Sequence, residues 1–225
     1  HPFFQALAEG TLELHALGIY MAQHYRFVCK AVPGFGLLVY RAPADVRKAM
    51  IENLAEEEGL LAGGYEGAEA HDHFELIFAF CRAAGLADDE VRTIQRTPAW
   101  WARTLHYVGC QRDEPLGVAL AMLSTQVGQQ IALNRDITIP ALQEHYGFAA
   151  DDPAIGFFVE HAEADMEHST KQLDLCVKYL DTPALRERAL DVCEEAVRLR
   201  WASITDIWRD TVADRPDPLP PGVDA

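Results

Sequence analysis

The sequence predicts an all-α bundle of seven to eight helices, and three observations carry that prediction. Almost every long segment repeats apolar residues at alternating steps of three and four. Glycine and proline turn signals divide these segments at helix-length intervals: Pro33-Gly34, Gly63-Gly64, Gly85, Pro98, Pro115, Gly147, Asp152-Pro153 and Thr182-Pro183. No run alternates with period two, and the β-branched stretch Ile137-Thr138-Ile139 is too short for a strand.

The elements follow in order. A short helix over roughly 2–9 precedes one over roughly 11–30, where Leu14, Leu17, Met21, His24 and Val28 share a face. The turn at Pro33-Gly34 opens a helix over roughly 34–58, and another covers roughly 70–86 with the apolar face Leu76, Phe80 and Ala83. Helices over roughly 98–111 and 116–146 follow, the second kinked at Pro140, which removes a backbone donor and clashes with the preceding turn. The last two helices cover roughly 153–179 and 184–213. Asp181 or Thr182 caps the final one ahead of Pro183, and Leu190, Cys193, Val197, Trp201, Ile204 and Trp208 form its apolar stripe. Residues 1–213 thus read as one helical domain, and the four-proline stretch 214–225 as a flexible tail. There is no internal repeat.

Composition narrows the function. At 225 residues, 49% hydrophobic and 24% charged, the chain buries a substantial core. A formal charge of −16 argues against a nucleic-acid partner, because phosphate binding needs clustered Lys and Arg. No unbroken apolar run reaches the roughly 18–20 residues of a bilayer span, so no membrane partner is expected. Cys29, Cys81, Cys110, Cys176 and Cys193 are scattered without a CxxC pair, which suits reduced thiols in a cytoplasmic protein. The chain begins at His1 rather than Met, so a targeting segment ahead of it stays open.

The chemistry concentrates in Glu160-His161-Ala-Glu-Ala-Asp165-Met-Glu-His168. In a helix, positions i, i+4 and i+7 fall within about 60° of arc, so His161, Asp165 and His168 share a stripe, with Glu163 and Glu167 off it. Two imidazoles and a carboxylate on one face are a common set for first-row metals, Fe(II) among them. Bundle interiors build such sites from several helices. Further donors are available: Glu56-Glu57-Glu58 closes one helix, and His71-Asp72-His73 opens the next. A single helix face presents only one of three adjacent glutamates, and an acidic triplet is by default a solvated face.

The ordered set of motifs resembles the heme-oxygenase-like diiron oxidases, within the TenA/pyrroloquinoline-quinone-synthase superfamily. The resemblance runs from Leu7 to about Trp208. It is carried by Ala8 to Leu12 with Leu17, Tyr20, Gln23 and Tyr25, and by NLxEExG at Asn53 to Gly59. It continues through HxxL…F…GL at His73, Leu76, Phe80 and Gly85-Leu86, and ends in HxxxDxxH at His161, Asp165 and His168. The chain is also similar to the chlamydial protein associating with death domains, a member of that group. The resemblance implies a heme-oxygenase-like bundle and an oxygen-dependent non-heme iron oxidase or oxygenase. Two Fe(II) ions would be held by Glu57, His73, His161, Asp165 and His168, with O2 as co-substrate. Family members of this kind oxidise amines, cleave carbon–carbon bonds of amino acids, or decarboxylate fatty acids. A small-molecule substrate, a reductase or other reductant, and a homodimer are implied in the same way.

Three departures qualify that implication. Gln126 stands where the family has a ligand glutamate, leaving two carboxylates and three histidines and a weaker second metal position. The stretch between Glu57 and His73 is longer and glycine-rich (Gly59, Gly63, Gly64, Gly67), as for a lid. Phe4 replaces the tyrosine that p-aminobenzoate-making members consume, which argues against that branch's chemistry. Two other readings stay open. One is a metal-free enzyme of the TenA or quinone-synthase type, although residues 119–131 lack the cysteine nucleophile of the TenA-like thiaminases. The other is a non-catalytic binding protein of the same fold, favoured only by Gln126. Phe74, Phe78, Phe157, Phe158, Trp100 and Trp101 divide between pocket wall and core, with core the commoner role.

Overall fold

A computed structural model describes residues 1–62 and 69–212, without the side chains of residues 127 and 163–171. The described residues contain helices α1 (Pro2–Ala8), α2 (Leu14–Arg41), α3 (Ala44–Glu57), α4 (His73–Ala83) and α5 (Asp88–Thr93). They continue with α6 (Pro98–Asp113), α7 (Leu116–Leu133), α8 (Ile139–His145), α9 (Gly156–Tyr179) and α10 (Pro183–Thr211). A π-helical turn at Asn134–Thr138 joins α7 to α8, and a 3-10 turn at Pro153–Ile155 leads into α9. No strand is present among the described residues, and the fold class read from the sequence holds. The 214–225 tail and most of the glycine-rich stretch lie outside the described residues.

The boundaries differ from expectation in four places. The break at Pro33-Gly34 does not occur: α2 runs through Pro33 to Arg41, and the chain turns at Ala42, whose ψ of 151° is extended. An internal proline costs about 3 kcal/mol. Here Ala31, Val32, Phe35 and Leu38 are all buried on one stripe, and each large apolar side chain returns roughly 1.5–3 kcal/mol, so packing prevails. The second departure is α5, only six residues long and too brief for periodicity to reveal; Ala87 N donates to Glu90 Oε2 at 2.7 Å to start it. Third, the chain leaves α-geometry one turn ahead of Pro140, in the π turn, where the missing Pro140 N–H is absorbed by a wider coil. Fourth, the stripe predicted on the last helix holds at Ile204 and Trp208 but slips at its start. There Ala189 and Val192 are buried while Leu190 is 73% exposed. Thr182 does cap α10, accepting from Leu185 N at 3.3 Å.

Helix α7 organises the interior. It lies along α9 and against α10 and α6, with Val118, Ala119, Leu120 and Met122 fully buried. Together with the π turn and α8 it forms a 116–145 stretch that contains an 18-residue window of mean hydropathy 1.3, long and apolar enough by length and composition to cross a membrane. The sequence reading, which sought an unbroken apolar run, did not register it because Gln126, Gln130, Asn134, Arg135 and Asp136 interrupt it. Around it, α2, α4, α6 and α9 close the bundle through Phe27, Phe80, Trp100 and Phe158, all at most 2% exposed.

At the α7–α9 junction a Cβ on Gly117 would lie 2.4 Å from the Tyr179 carbonyl oxygen, so only glycine lets the end of α9 sit there. Gly117→Ala should force that end of α9 outward and lower stability by about 1–3 kcal/mol, as overpacking does. Urea denaturation measures it, and an unchanged midpoint would contradict the tight junction.

Candidate metal centre

The site is built where α3 ends, α4 begins and α9 passes beneath both. Glu57 is the last residue of α3. Gly59 follows with φ +68°, and a side chain there would meet Asp72 N at 2.7 Å. That close approach allows a single antiparallel bridge between Glu58 and Asp72. Asp72 then caps α4, its Oδ1 accepting from Phe74 N at 2.9 Å. The bridge and the cap set His73, the first residue of α4, beside Glu57 across the loop. His73 Nδ1 lies 3.0 Å from Glu57 Oε2.

Helix α9 supplies His161 and, unexpectedly, Glu160. His73 Nε2 lies 3.6 Å from Glu160 Oε1, and His71 Nδ1 lies 3.4 Å from Glu160 Oε2. The His73 and His161 rings meet edge-on with centroids 4.7 Å apart. Ligand atoms of Glu57, His73 and His161 all fall within 4.8 Å of one another. Above them opens a cavity of about 1000 Å³, measured out to its mouth and walled by His24, Phe35, Phe74, Ile77, Phe157 and Gln126 among others.

The two imidazoles are electrostatically unlike. Burial alone would lower His73, but the carboxylates of Glu160 and Glu57 outweigh it and raise the group to about 10. His161 is lowered to about 4, first by burial and then by the charge on His73. Glu160 is held below the usual carboxylate range: its burial acts upward, and His73, His71 and His161 overcome it. His161 Nδ1 donates to the Phe157 carbonyl at 2.8 Å, which fixes the tautomer and leaves Nε2 with a free lone pair. A neutral, oriented imidazole, a second imidazole and a carboxylate within one coordination radius fit a divalent first-row ion, which would displace the His73 proton on binding.

Of the residues singled out in the sequence, the structure brings together Glu57, His73 and His161. Asp165 and His168 lie in α9, and their side chains are outside the described residues, as are those of Glu163 and Glu167. Gln126 reaches the cavity wall from α7, but its Oε1 accepts from Arg103 Nη2 and, at 3.5 Å, from Arg200 Nη1. His71 is half-exposed and touches the cluster through Glu160. Phe74 and Phe157 line the cavity, whereas Phe78, Phe158 and Trp100 are core and Trp101 is 46% exposed beneath Arg96. Sequence reasoning gave no role to Glu160, His24, Arg103 or Arg200. His24 carried a signal, a histidine on an otherwise apolar helix face, and Glu160 carried another, an acid next to the first motif histidine. The arginines carried none.

Fold and site together define a heme-oxygenase-like helical bundle with a histidine–carboxylate cluster in its interior. A Shewanella denitrificans domain of unknown function with a heme-oxygenase-like fold superposes with a TM-score of 0.77 at 15% identity, over 95% of this chain and 89% of that one. A TenA family transcription regulator from Silicibacter gives 0.70 at 18% identity, over 95% and 88%. At such identities the likeness is one of fold. The chain belongs to the iron-containing redox enzyme family, whose model matches residues 19–201. It is similar to proteins named 4-aminobenzoate synthase: 24% identical to that of Chlamydia trachomatis over 88% of this chain and 80% of the relative. For Nitrosomonas europaea the figures are 25% identity over 95% and 87%.

The imidazole shifts set a pH optimum for the metal-free protein. His73 is raised above its unfolded value near 6.5, so its contribution is full below pH 6.5 and is lost as pH climbs towards 10. His161 is depressed, so the folded state is penalised as pH falls from 6.5 towards 4, and His24, also buried and lowered, steepens that limb. Thermal melting of metal-free protein should therefore peak near pH 6.5, and His73→Gln should flatten the alkaline limb. An alkaline limb unchanged in that variant would contradict the assignment.

Proposed function

We propose that this iron-containing redox enzyme is an oxygen-dependent oxidase or oxygenase of a small organic substrate, an amine or amino-acid-derived metabolite. The reading rests on one observation: Glu57, His73 and His161 converge within 4.8 Å under an apolar cavity, in a chain of the iron-containing redox enzyme family. Glu57, His73 and His161 hold iron, and Asp165 and His168 from the same α9 stripe complete the donor set. Iron bound there supplies one-electron redox chemistry with O2 as co-substrate, the electrons coming from a reductase or other reductant.

The chain's own groups do the rest. His161, pinned by the Phe157 carbonyl, enters as a neutral donor with its lone pair pre-aimed. Glu160 stays behind His73 and His71, where it takes up a hydrogen bond from the imidazole that no longer carries two protons. Phe35, Phe74, Ile77 and Phe157 exclude water from the reacting face. His24, kept neutral by burial and by the nearby positive charges of Arg103 and Arg200, leaves an uncharged ring on the facing wall.

Gln126 limits the metal count. Its amide oxygen, the only atom that would coordinate, is engaged by two guanidiniums, so one iron is held tightly and a second is not. The relatives named 4-aminobenzoate synthase suggest a biosynthetic role, but Phe4 has no hydroxyl to offer. It is packed edge-on against Phe3 and Tyr20. Phe4 is therefore not the substrate, and the proposed substrate is a diffusible molecule that enters the cavity.

Anaerobic titration with Fe(II) should saturate near one equivalent, and exposure to O2 should then give a transient visible absorbance. His161→Ala should abolish binding while the far-UV spectrum stays helical. Absence of binding above background in the parent protein would refute the iron reading; two tight equivalents would refute the role given to Gln126.

A further inference from the structure

Behind Gln126 the interior changes sign. Arg103 on α6 and Arg200 on α10 are 4% and 6% exposed, and both turn their guanidiniums to the same amide oxygen. Arg200 Nη2 also donates to Gln130 Oε1 at 3.1 Å. Arg103 stacks over Phe27 at 4.4 Å and Trp100 at 4.8 Å, and its Nη1 is buried without a hydrogen-bond partner. Among the described residues neither guanidinium has a carboxylate in reach. Buried cations are ordinarily paired, because an uncompensated charge in a protein interior is expensive. Two side by side, facing neutral amides, form a site prepared for an anion that the described residues do not supply.

The position of the pair gives the anion its chemistry. Arg103 and Arg200 line a small recess, and Gln126 and Tyr107 belong to the walls of both this recess and the larger cavity above the histidine–carboxylate cluster. The larger wall is mostly aromatic and aliphatic between these two polar ends. A molecule spanning the space would carry an anionic group at one end and an apolar body reaching towards His161. Paired guanidiniums match the two oxygens of a carboxylate, each hydrogen bond strengthened by charge.

We propose that Arg103 and Arg200 form a carboxylate clamp that orients an organic acid with its apolar body towards the cluster. This rests on the oxidase reading for its meaning, and on the arginine geometry alone for its existence. Burial, then the neighbouring Arg200, lower Arg103 to about 9, which leaves it charged at neutral pH and without the counter-ion a bound carboxylate would be.

The clamp is testable on metal-free protein, so its failure and that of the iron reading are separable. Isothermal titration calorimetry would compare octanoate and 3-phenylpropionate with octanamide and 3-phenylpropionamide, and with acetate. Each acid should bind at least about tenfold tighter than its amide, the scale of one charge-assisted contact. That preference should vanish in Arg103→Gln and Arg200→Gln and persist in His161→Ala. Gln126→Glu is the internal control: it places a carboxylate on both arginines, so it should fold at least as stably as the parent while losing the preference for acids. It decides the matter if the arginine variants fail to fold. Equal affinity for acid and amide, or a preference that survives Gln126→Glu, would overturn the clamp. Acetate binding as tightly as octanoate would overturn the link to the apolar cavity.

Discussion

The contact on which the site depends is His73 between Glu57 and Glu160. Three ionisable groups enter a mostly apolar interior from three helices, and each is tolerable there only because the others are present. Remove the imidazole and two carboxylates face one another; remove either carboxylate and a buried cation loses half its compensation. This mutual requirement fixes where the end of α3, the start of α4 and the middle of α9 meet. The Glu58–Asp72 bridge and the Asp72 cap bring the first two ends together, and the α7–α9 packing holds the third element in place. The same arrangement is what a metal needs, since a divalent cation replaces the His73 proton without changing the anions around it.

The interior is therefore electrically polarised, with anions and imidazoles on the α3–α4–α9 side and two guanidiniums on the α6–α10 side. Gln126 and Gln130 on α7 stand at the boundary, and His24 faces both halves with a ring kept neutral. A neutral amide is well suited to that position. It accepts from cations on one side without adding a charge to the cavity on the other.

The fold was legible because helical periodicity and proline punctuation speak locally. It failed where tertiary packing overruled them, at Pro33, where the buried stripe of Val32, Phe35 and Leu38 carries α2 onward, and at Leu190, where the last helix turns a different face inward. His161 was legible because helix spacing set it on a stripe of ligand-type residues, whereas Glu57 and His73 were picked from their neighbours by the resemblance to the family motifs. Glu160 was not legible, since nothing in the sequence tells an acid 100° off the ligand stripe that it will meet a histidine from another helix. Arg103 and Arg200 were the least legible of all. They lie 97 residues apart by number, in stretches with no motif, and acquire a shared role only when α6 and α10 flank α7.

The departure at Gln126 reads differently once those arginines are in view. Taken alone, a glutamine in a glutamate position is a lost ligand and a weakened site. Taken with Arg103 and Arg200, it is the residue that keeps two guanidiniums uncompensated. A glutamate there would offset one of their two charges, and a leucine would leave their inner N–H groups without an acceptor. Only an uncharged acceptor satisfies part of their hydrogen-bonding capacity while leaving their charge in place for something else. In place of a charged acceptor, α7 thus sets a neutral amide against the guanidiniums carried by α6 and α10.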